Sequence, residues 1–391
     1  MALTLENLLG RVGDLDSHES IPVPRYGQIF GQVGERFIKE NKELWDAAER
    51  VTQFRPEDHI TVDRADDAEI NQKNVWELKG QCAPGAIDMD RRIAVMDEMG
   101  IKRQLIFPMM GIFAWITALG GNQNWMPKCS REQMALGKQA IDAYNKWAGM
   151  RTKKSDRMRM VGMILSGDPE MTPALLVKKA EELIDTGVKA VLISSGTAPA
   201  GLSPSDAKLD PFYATLARSN VALVFHPPSG LGFRSNNVWE AALVNPRYAS
   251  VMNMHIAEEN FLGILVLGGV FERHPTLRVG FVETGADWIG PLVERMDHNF
   301  EHKWPGKNLA MRPSEYVVRN VRVSTMSDEA MEIWLSRYPQ LVDVFCYSSD
   351  FPHVEGGQWS LRNVYERIAP LGEEIVEKFF VTNAELVLPP A

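Results

Sequence analysis

The chain has 391 residues, of which 45% are hydrophobic, so it is long enough and apolar enough to bury a large core. Its formal net charge of −9 argues against a broad cationic surface, and we expect no nucleic-acid partner. The same charge is compatible with an anionic substrate, because one metal ion and a nearby arginine can outweigh it locally.

Eight runs with strand character follow one another along the chain, and helical patterns separate most of them. The runs start at Gly13, Ile101, Met160, Lys189, Val221, Arg278, Asn320 and Val344. Two of the intervening helices have end signals: Gly100 ends one, and Thr172 and Gly187 bound another. Strand–helix alternation predicts an α/β protein with a parallel sheet, and eight units favour a closed (β/α)8 TIM barrel over an open sheet.

Two segments interrupt this alternation. Residues 19–88 contain much Pro, Gly and charge and no clear strand, so we predict a partly helical cap over the site. Residues 110–134 contain two Trp and two adjacent Gly, and we predict a second, irregular insertion there, followed by a helix over Ala135–Met150. Because no clean domain boundary is visible, we expect one barrel domain over residues 1–391 with both insertions.

Three predicted strands end in residues that bind metal ions. The run Gly13–His18 places Asp16 and His18 on one strand face, because side chains alternate with a period of two. The fifth run ends in His226 and the last run ends in Asp350. A strand-end Asp by itself is as often a helix cap or a structural hydrogen-bond acceptor as a ligand. Asp and His side chains from three strands at the carboxyl edge of one barrel nevertheless form a metal-site pattern.

Neither a nucleotide site nor a membrane segment is indicated. No predicted strand leads into GxGxxG or GxxxxGK[ST], no apolar run has spanning length, and the first residues lack a secretory pattern. Cys82, Cys129 and Cys346 form no CxxC pair, which is typical of a reducing compartment. We therefore expect a cytoplasmic protein without a membrane partner.

Five blocks of sequence resemble a known family. They are the DSH of the first strand, the VFHPP of the fifth, GVFERHPTLRVGFVETGADWIGPLVERMD, SSDFPHVEG and the terminal FFVTNAELV. In this order they are similar to the amidohydrolase superfamily, in its amidohydrolase-2 branch, which includes aminocarboxymuconate-semialdehyde decarboxylase and related non-oxidative decarboxylases. The resemblance implies a metal-bearing (β/α)8 barrel and a small-molecule carboxylate or carbonyl substrate. It also suggests a homodimer, because relatives often pair through such insertions.

The resemblance implies that Asp16, His18, His226 and Asp350 bind one divalent metal ion. The first-strand pair is Asp-x-His rather than His-x-His. A carboxylate oxygen is a chemically harder ligand than an imidazole nitrogen, so the set of metal ligands is harder. We expect zinc, with manganese as the alternative. The alternative role for Asp16 is a carboxylate that orients His18. Asp14 lies on the same strand face, and we interpret it as a supporting group.

The sixth strand departs from the family pattern. Glu283-Thr284-Gly285 stand where many relatives have a histidine followed by glycines. Either Glu283 or His255 could therefore be the acid/base residue. Glu283 could instead form a structural salt bridge, and His255 could be an ordinary histidine of a helix. His353 follows Asp350 by three residues and is interpreted either as a turn residue or as part of the site.

Two reactions suit such a site, and both need Asp350 as a ligand and proton acceptor. The first is non-oxidative decarboxylation of an aromatic or conjugated acid, in which a nearby acid protonates the carbon. The second is hydrolysis of a C–N or C–C bond by activated water, in an amide, a lactone-like ring or a ring-cleavage product. A binding protein without catalysis is disfavoured, because ligand-type residues stand at three strand ends.

Overall fold

A computed structural model describes residues 3–42, 66–121, 128–227, 255–302 and 309–389. Eight strands form one sheet in which each strand pairs in parallel with the next in sequence. They are β1 Val12–Asp14, β2 Ile101–Ile106, β3 Met158–Met163, β4 Ala190–Leu192, β5 Ala222–Phe225, β6 Val279–Phe281, β7 Val321–Ser324 and β8 Phe345–Cys346. All eight predicted strands are confirmed, although each is shorter than its apolar run.

Backbone hydrogen bonds join the residues after β1 to the residues after β8. The amide of Asp350 donates to the carbonyl of Asp16 at 2.9 Å, and the amide of His18 donates to the carbonyl of Phe351 at 2.7 Å. The first and last strands therefore meet, and the predicted (β/α)8 barrel is confirmed.

Helices connect the strands and surround the sheet. Their bounds are α1 Leu5–Leu8, α2 Tyr26–Glu40, α3 Gln72–Glu77, α4 Arg92–Met99, α5 Met109–Ala118, α6 Arg131–Lys154, α7 Pro173–Thr186, α8 Asp210–Arg218, α9 Ile256–Leu267, α10 Val270–Arg273, α11 Ile289–Glu301, α12 Pro313–Asn320, α13 Met331–Arg337, α14 Ser360–Ile368 and α15 Glu373–Glu377. Gly100 ends α4 with φ 77° and Gly187 ends α7 with φ 101°, as the sequence predicts. None of the helices in the described ranges has the length and apolarity needed to cross a lipid bilayer.

The first insertion contains α2 and α3, and its residues 43–65 lie outside the described part. Phe30 of α2 packs against Trp147 of α6, with ring centroids 5.8 Å apart. The buried carboxylate of Glu19 accepts from the amides of Ile21 at 3.0 Å and Met109 at 2.8 Å, which ties the start of this insertion to the start of α5. The helical part of the prediction is confirmed, and its role as a cap stays a prediction.

The second insertion is not irregular throughout, and that prediction is wrong for its first half. Residues Met109–Ala118 form α5, while residues 122–127 lie outside the described part. The helix is apolar on nearly all sides, so its sequence lacks the one-sided periodicity that identifies an amphipathic helix. The predicted helix over Ala135–Met150 is confirmed and is longer, because α6 starts at Arg131.

The segment after α15 lies against the amino-terminal ends of the strands, opposite the predicted site. The side-chain amide of Asn383 donates to the carbonyls of Val342 at 2.8 Å and Phe345 at 2.9 Å, just before and within β8. Ala384 packs so closely on Gly13 of β1 that a Cβ at Gly13 would lie 2.4 Å from the Cβ of Ala384. The Asn-Ala pair near the end of the chain therefore holds the first and last strands together at this end.

We predict that Asn383→Ala destabilises the barrel by about 2 kcal/mol, because it leaves the buried carbonyl of Phe345 and the partly buried carbonyl of Val342 without their donor. Urea unfolding followed by circular dichroism measures the change. Asn363→Ala is the matched control, since its side chain is exposed on α14 and, among the described residues, donates to the Gln358 carbonyl alone. Equal midpoints for the two variants would contradict the prediction.

Candidate metal centre

The carboxyl ends of four strands bring five of the six predicted site residues together. Asp16 and His18 follow β1, His226 follows β5 directly, Glu283 follows β6 and Asp350 follows β8. In a parallel barrel all of these ends lie on one face, and this is the face on which such barrels place their chemistry.

The donor atoms approach each other closely. His18 Nε2 lies 3.4 Å from Asp16 Oδ1 and 3.3 Å from Asp350 Oδ1. His226 Nε2 lies 3.7 Å from Asp16 Oδ1. These separations are those of side chains that share one small cation at bond lengths of roughly 2.0–2.2 Å. Asp16, His18 and His226 therefore lie within one group of donor atoms, and Asp350 approaches that group through His18.

Glu283 lies in the same centre. Its Oε2 atom is 2.6 Å from His226 Nε2 and 3.8 Å from His18 Nε2. Donor atoms fall within 4.8 Å of one another in two sets: the first group is Asp16, His18, His226 and Glu283, and the second group is His18, Glu283, Asp350 and His353. We call these six side chains the metal centre.

Buried atoms in this centre lack hydrogen-bond partners. Within the described residues, no hydrogen bond reaches either carboxylate oxygen of Asp16 or Asp350, or either ring nitrogen of His18. A carboxylate that accepts no hydrogen bond is costly to bury, and a cation removes that cost. The donor atoms of these residues therefore fit a divalent metal ion, and the centre implies that the protein binds one.

Local contacts direct His226 into the centre. Its Nδ1 atom lies against the carbonyl oxygen of Pro227, the residue that follows it. A histidine whose Nδ1 donates to a backbone carbonyl presents its Nε2 lone pair to a metal, so this contact fixes the tautomer that a ligand needs.

The charges of the centre shift the pKa values of its members. Burial would raise the pKa of Asp350, but His353 and His18 outweigh burial and hold that pKa below its ordinary value. Burial would lower the pKa of His353, but Asp350 raises it to about 9. Burial raises the pKa of Glu283; His226 opposes the shift, and Asp350 adds to it. Glu283 therefore holds a proton more readily than an exposed carboxylate does.

Two of the carboxylates stand on strained backbone. Glu283 has φ 57° and Asp350 has φ 48°, in the left-handed region that residues with a side chain rarely adopt. This conformation costs about 1–2 kcal/mol at each residue. Strain of this kind concentrates at functional sites, where the structure around the residue holds the side chain in a required direction.

His353 is the member of the centre that sequence reasoning left undecided. Its Nδ1 atom lies 3.1 Å from Asp350 Oδ1, and its ring stacks on that of His18. The sequence signal that could have found it is its spacing of three residues from Asp350 in a turn.

His255 lies outside both groups. It stands at the start of α9, its side chain is 32% exposed, and Nε2 is 3.7 Å from Glu259 Oε2. Its ring stacks at 6.5 Å on Trp288, which lies beyond the end of β6. No contact within the described residues links His255 to a metal donor, so an acid/base role for it stays a prediction.

A buried carboxylate beneath the centre supports its first and last strands. Asp14 accepts from the amide of Asp16 at 3.2 Å, from the amide of Ser349 at 2.8 Å and from the Ser349 hydroxyl at 2.6 Å. Burial raises the pKa of Asp14 to about 7, although its hydrogen bonds oppose the shift. Asp14 therefore links the segments that carry Asp16 and Asp350, which agrees with a supporting role.

A buried arginine completes this support. Arg92 donates to the carbonyl of His18 at 2.6 Å, to the carbonyl of Gly85 at 2.7 Å and to Gln104 Oε1 at 3.1 Å. Gln104 in turn donates to Asp14 Oδ2 at 2.8 Å. Gln104 thus joins a buried cation to a buried carboxylate, and no pattern in the sequence indicates this arrangement.

Lys79 adds a second cation near the centre. Its Nζ atom donates to the carbonyl of Gly357, and the amide of the next residue, Gly80, donates to the Pro352 carbonyl at 2.7 Å. Burial lowers the pKa of Lys79 to about 8, against the opposing effects of Asp350 and Glu355. The first insertion therefore brings a positive charge to the loop that carries Asp350.

An eight-stranded parallel barrel with this donor set at the carboxyl ends of its strands defines a metal-dependent enzyme of the (β/α)8 class. The amidohydrolase family model matches residues 131–389, so the chain belongs to the amidohydrolase family. It is therefore a metal-dependent carboxy-lyase or hydrolase. No curated protein matches the sequence.

Solved structures share the fold along nearly the whole chain. An amidohydrolase from Mycobacterium avium subsp. paratuberculosis K-10 has a TM-score of 0.65 and 19% identity, over 97% of this chain and 99% of that one. The 5-carboxyvanillate decarboxylase of Sphingomonas paucimobilis has a TM-score of 0.59 and 16% identity, over 97% and 99%. A 5-carboxyvanillate decarboxylase from Novosphingobium aromaticivorans, complexed with manganese and 4-hydroxy-3-methoxy-5-nitrobenzoic acid, has a TM-score of 0.58 and 18% identity, over 97% and 96%.

We predict that Gln104→Met weakens metal binding about 10-fold, because groups that orient metal ligands contribute to affinity on this scale. Methionine keeps the volume but removes the link between Arg92 and Asp14. Competition with a chromogenic chelator measures the dissociation constant. Gln340→Met, at an exposed position, is the matched control and is expected to bind metal as the wild type does. Unchanged affinity in Gln104→Met would exclude this role for Gln104.

Proposed function

We propose that the protein is a non-oxidative decarboxylase of a small aromatic or conjugated carboxylic acid. The observation that carries the proposal is the pair of overlapping groups of acidic and imidazole donors, most of them buried, at the carboxyl ends of the strands. Two fold neighbours are 5-carboxyvanillate decarboxylases, which supports this reaction class for a barrel of the same family. When bound, a divalent ion supplies the positive charge that holds the substrate carboxylate and an adjacent oxygen.

We propose manganese as the ion and keep zinc as the alternative. Three carboxylates, Asp16, Glu283 and Asp350, face the centre together with three histidines. Carboxylate oxygens are harder donors than imidazole or thiolate, and a harder donor set suits manganese. The Novosphingobium enzyme is complexed with manganese, which supports the same choice.

Glu283 is the residue that we assign to proton transfer. In decarboxylation the bond between the ring carbon and the carboxyl carbon breaks, its electron pair stays on the ring carbon, and a proton joins that carbon. Glu283 belongs to both groups of donors, so its carboxyl group lies close enough to the proposed ligands to transfer a proton there. Asp350 stays the proposed ligand and proton acceptor.

Positive charge near the centre supports an anionic substrate. Lys79 lies within electrostatic range of Asp350 and is joined to the loop after β8. An ammonium group at this position attracts a carboxylate that approaches the centre. We therefore propose that Lys79 contributes to substrate binding rather than to the chemical step.

Hydrolysis of a C–N or C–C bond is the second candidate. The observation that favours it is the carboxylate of Glu283 at the end of β6, 2.6 Å from His226 Nε2. A carboxylate beside a metal site can act as the general base that takes a proton from water. The homodimer and the cytoplasmic location stay predictions from the sequence, because a single chain does not test them.

We predict that protein reconstituted with Mn²⁺ releases CO₂ from at least one acid in a panel of hydroxybenzoates and muconate-type acids. Treatment with a chelator is expected to abolish the release, and added Mn²⁺ is expected to restore it. Asp350→Asn is expected to lower kcat at least ~10³-fold, since loss of one member of such a unit disables the whole unit. A coupled CO₂ assay measures all three effects.

Asp142→Asn is the control for this series, because Asp142 is exposed on α6. It is expected to retain wild-type turnover. Full activity in Asp350→Asn would remove the site assignment. If no acid releases CO₂ while amides or ring-cleavage products incorporate ¹⁸O from water, the protein is a hydrolase.

A further inference from the structure

Three arginines lie at the amino-terminal end of the barrel, opposite the metal centre. Arg103 is the third residue of β2, Arg159 is the second residue of β3, and Arg278 directly precedes β6. Arg159 is 4% exposed, Arg278 is 8% exposed, and the side chain of Arg103 is 11% exposed. We call these three side chains the arginine cluster. A buried guanidinium group is costly unless an anion offsets its charge, and the proposed reaction does not use any of the three.

Backbone carbonyls satisfy part of the cluster without neutralising it. Arg159 donates to the carbonyl of Asp156 at 2.5 Å and to the carbonyl of Pro389 at 3.1 Å. Arg278 donates to the carbonyl of Leu386 at 2.8 Å. The terminal segment therefore packs against the cluster. A carbonyl oxygen has no net charge, so these contacts leave the positive charge of the guanidinium groups in place.

The cluster holds more positive charge than its neighbours offset. Within the described residues one carboxylate pairs with it: Asp156 Oδ2 lies 3.7 Å from Arg103 Nη2, and the side chain of Asp156 is 49% exposed. Burial and the charge of Arg159 lower the pKa of Arg278 to about 10. Burial lowers the pKa of Arg159; Asp156 opposes this shift and Arg103 adds to it. Neighbouring guanidinium groups thus repel one another, and three of them share one carboxylate, which leaves two positive charges.

Two N–H groups of the cluster are available to a ligand. Among the described residues, no hydrogen bond reaches Nη2 of Arg278 or Nε of Arg103, and both atoms are buried. A buried donor without an acceptor costs free energy, and the cost is larger when the donor belongs to a charged group. An anion that accepts from these two groups removes this cost and offsets the charge at the same time.

A small cleft borders the cluster. Arg103 lines it together with Lys102 of β2 and with Glu385 and Leu388 of the terminal segment. Leu388 directly precedes Pro389, whose carbonyl the cluster holds. A small anion that enters between β2 and the terminal segment therefore meets Arg103 first.

We propose that the arginine cluster binds a phosphate dianion between the amino-terminal ends of β2, β3 and β6. The planar guanidinium fork matches the oxygen atoms of phosphate, and hydrogen bonds between charged groups are stronger than neutral ones. The two available N–H groups supply donors, and the two positive charges that remain equal the charge of the dianion. Bound phosphate neutralises the cluster and holds the terminal segment against the barrel. This inference goes beyond the proposed function and does not depend on it.

Isothermal titration calorimetry with inorganic phosphate tests the proposal on the Mn²⁺-loaded full chain, with sodium chloride holding the ionic strength constant. The wild type is expected to have one binding event that survives treatment with a chelator, because the cluster lies away from the metal centre. Arg278→Met and Arg103→Met are each expected to weaken this event at least ~10-fold, since each removes a charged donor. Arg103→Met separates binding from folding, because no hydrogen bond joins Arg103 to the terminal segment among the described residues.

Two further variants are the controls. Arg36→Met removes an exposed arginine of α2 and is expected to bind phosphate as the wild type does. Lys79→Met removes the cation near the metal centre and is also expected to retain the event. Absence of chelator-resistant binding in the wild type, or wild-type affinity in Arg103→Met, overturns the proposal. Binding that is lost in Lys79→Met but retained in both cluster variants places the phosphate at the metal centre and also overturns it. A failed titration leaves the CO₂ assay unaffected, so the two proposals fail separately.

Discussion

The rest of the structure depends on three carboxylates that lie close together at one end of the barrel. Asp16, Glu283 and Asp350 come from the ends of β1, β6 and β8, and the side chains of Asp16 and Asp350 are almost fully buried. Like charges at this separation repel one another strongly in a medium of low dielectric. The neighbouring imidazoles offset part of this repulsion, and a divalent cation offsets far more. The strained backbone at Glu283 and Asp350 is consistent with a fold that maintains these carboxylates for their chemistry.

Hydrogen bonds around the carboxylates hold the segments that carry them in place. Asp14 accepts hydrogen bonds from Asp16, which follows the first strand, and from Ser349, which follows the last strand. Gln104 links Asp14 to the buried guanidinium of Arg92. Arg92 then holds the carbonyl of His18. At the opposite end of the barrel, Asn383 ties the terminal segment to β8. The closure of the barrel is thus secured at both ends, so the donors of the first and last strands face each other in a fixed register.

The sequence predicted the parts of this protein that local pattern controls. His18, His226 and Asp350 each end a run with strand character, Asp16 lies on the same strand face as His18, and a parallel barrel brings such ends to one face. His353 stayed undecided because it lies in a turn, where no period indicates the direction of a side chain. The link between Arg92, Gln104 and Asp14 could not be predicted, because its members stand on three elements that meet only after the barrel closes. Helix α5 was missed because an apolar helix has no polar face to reveal its period.

The central claim is that the carboxyl ends of the first, fifth and last strands meet around a divalent cation. Anomalous X-ray diffraction from crystals grown with Mn²⁺ tests it most directly. The account predicts a strong anomalous peak within roughly 2.0–2.3 Å of donor atoms of Asp16, His18, His226 and Asp350. A fully loaded protein whose ion lies elsewhere, with these four side chains bound only to one another or to water, would contradict the account.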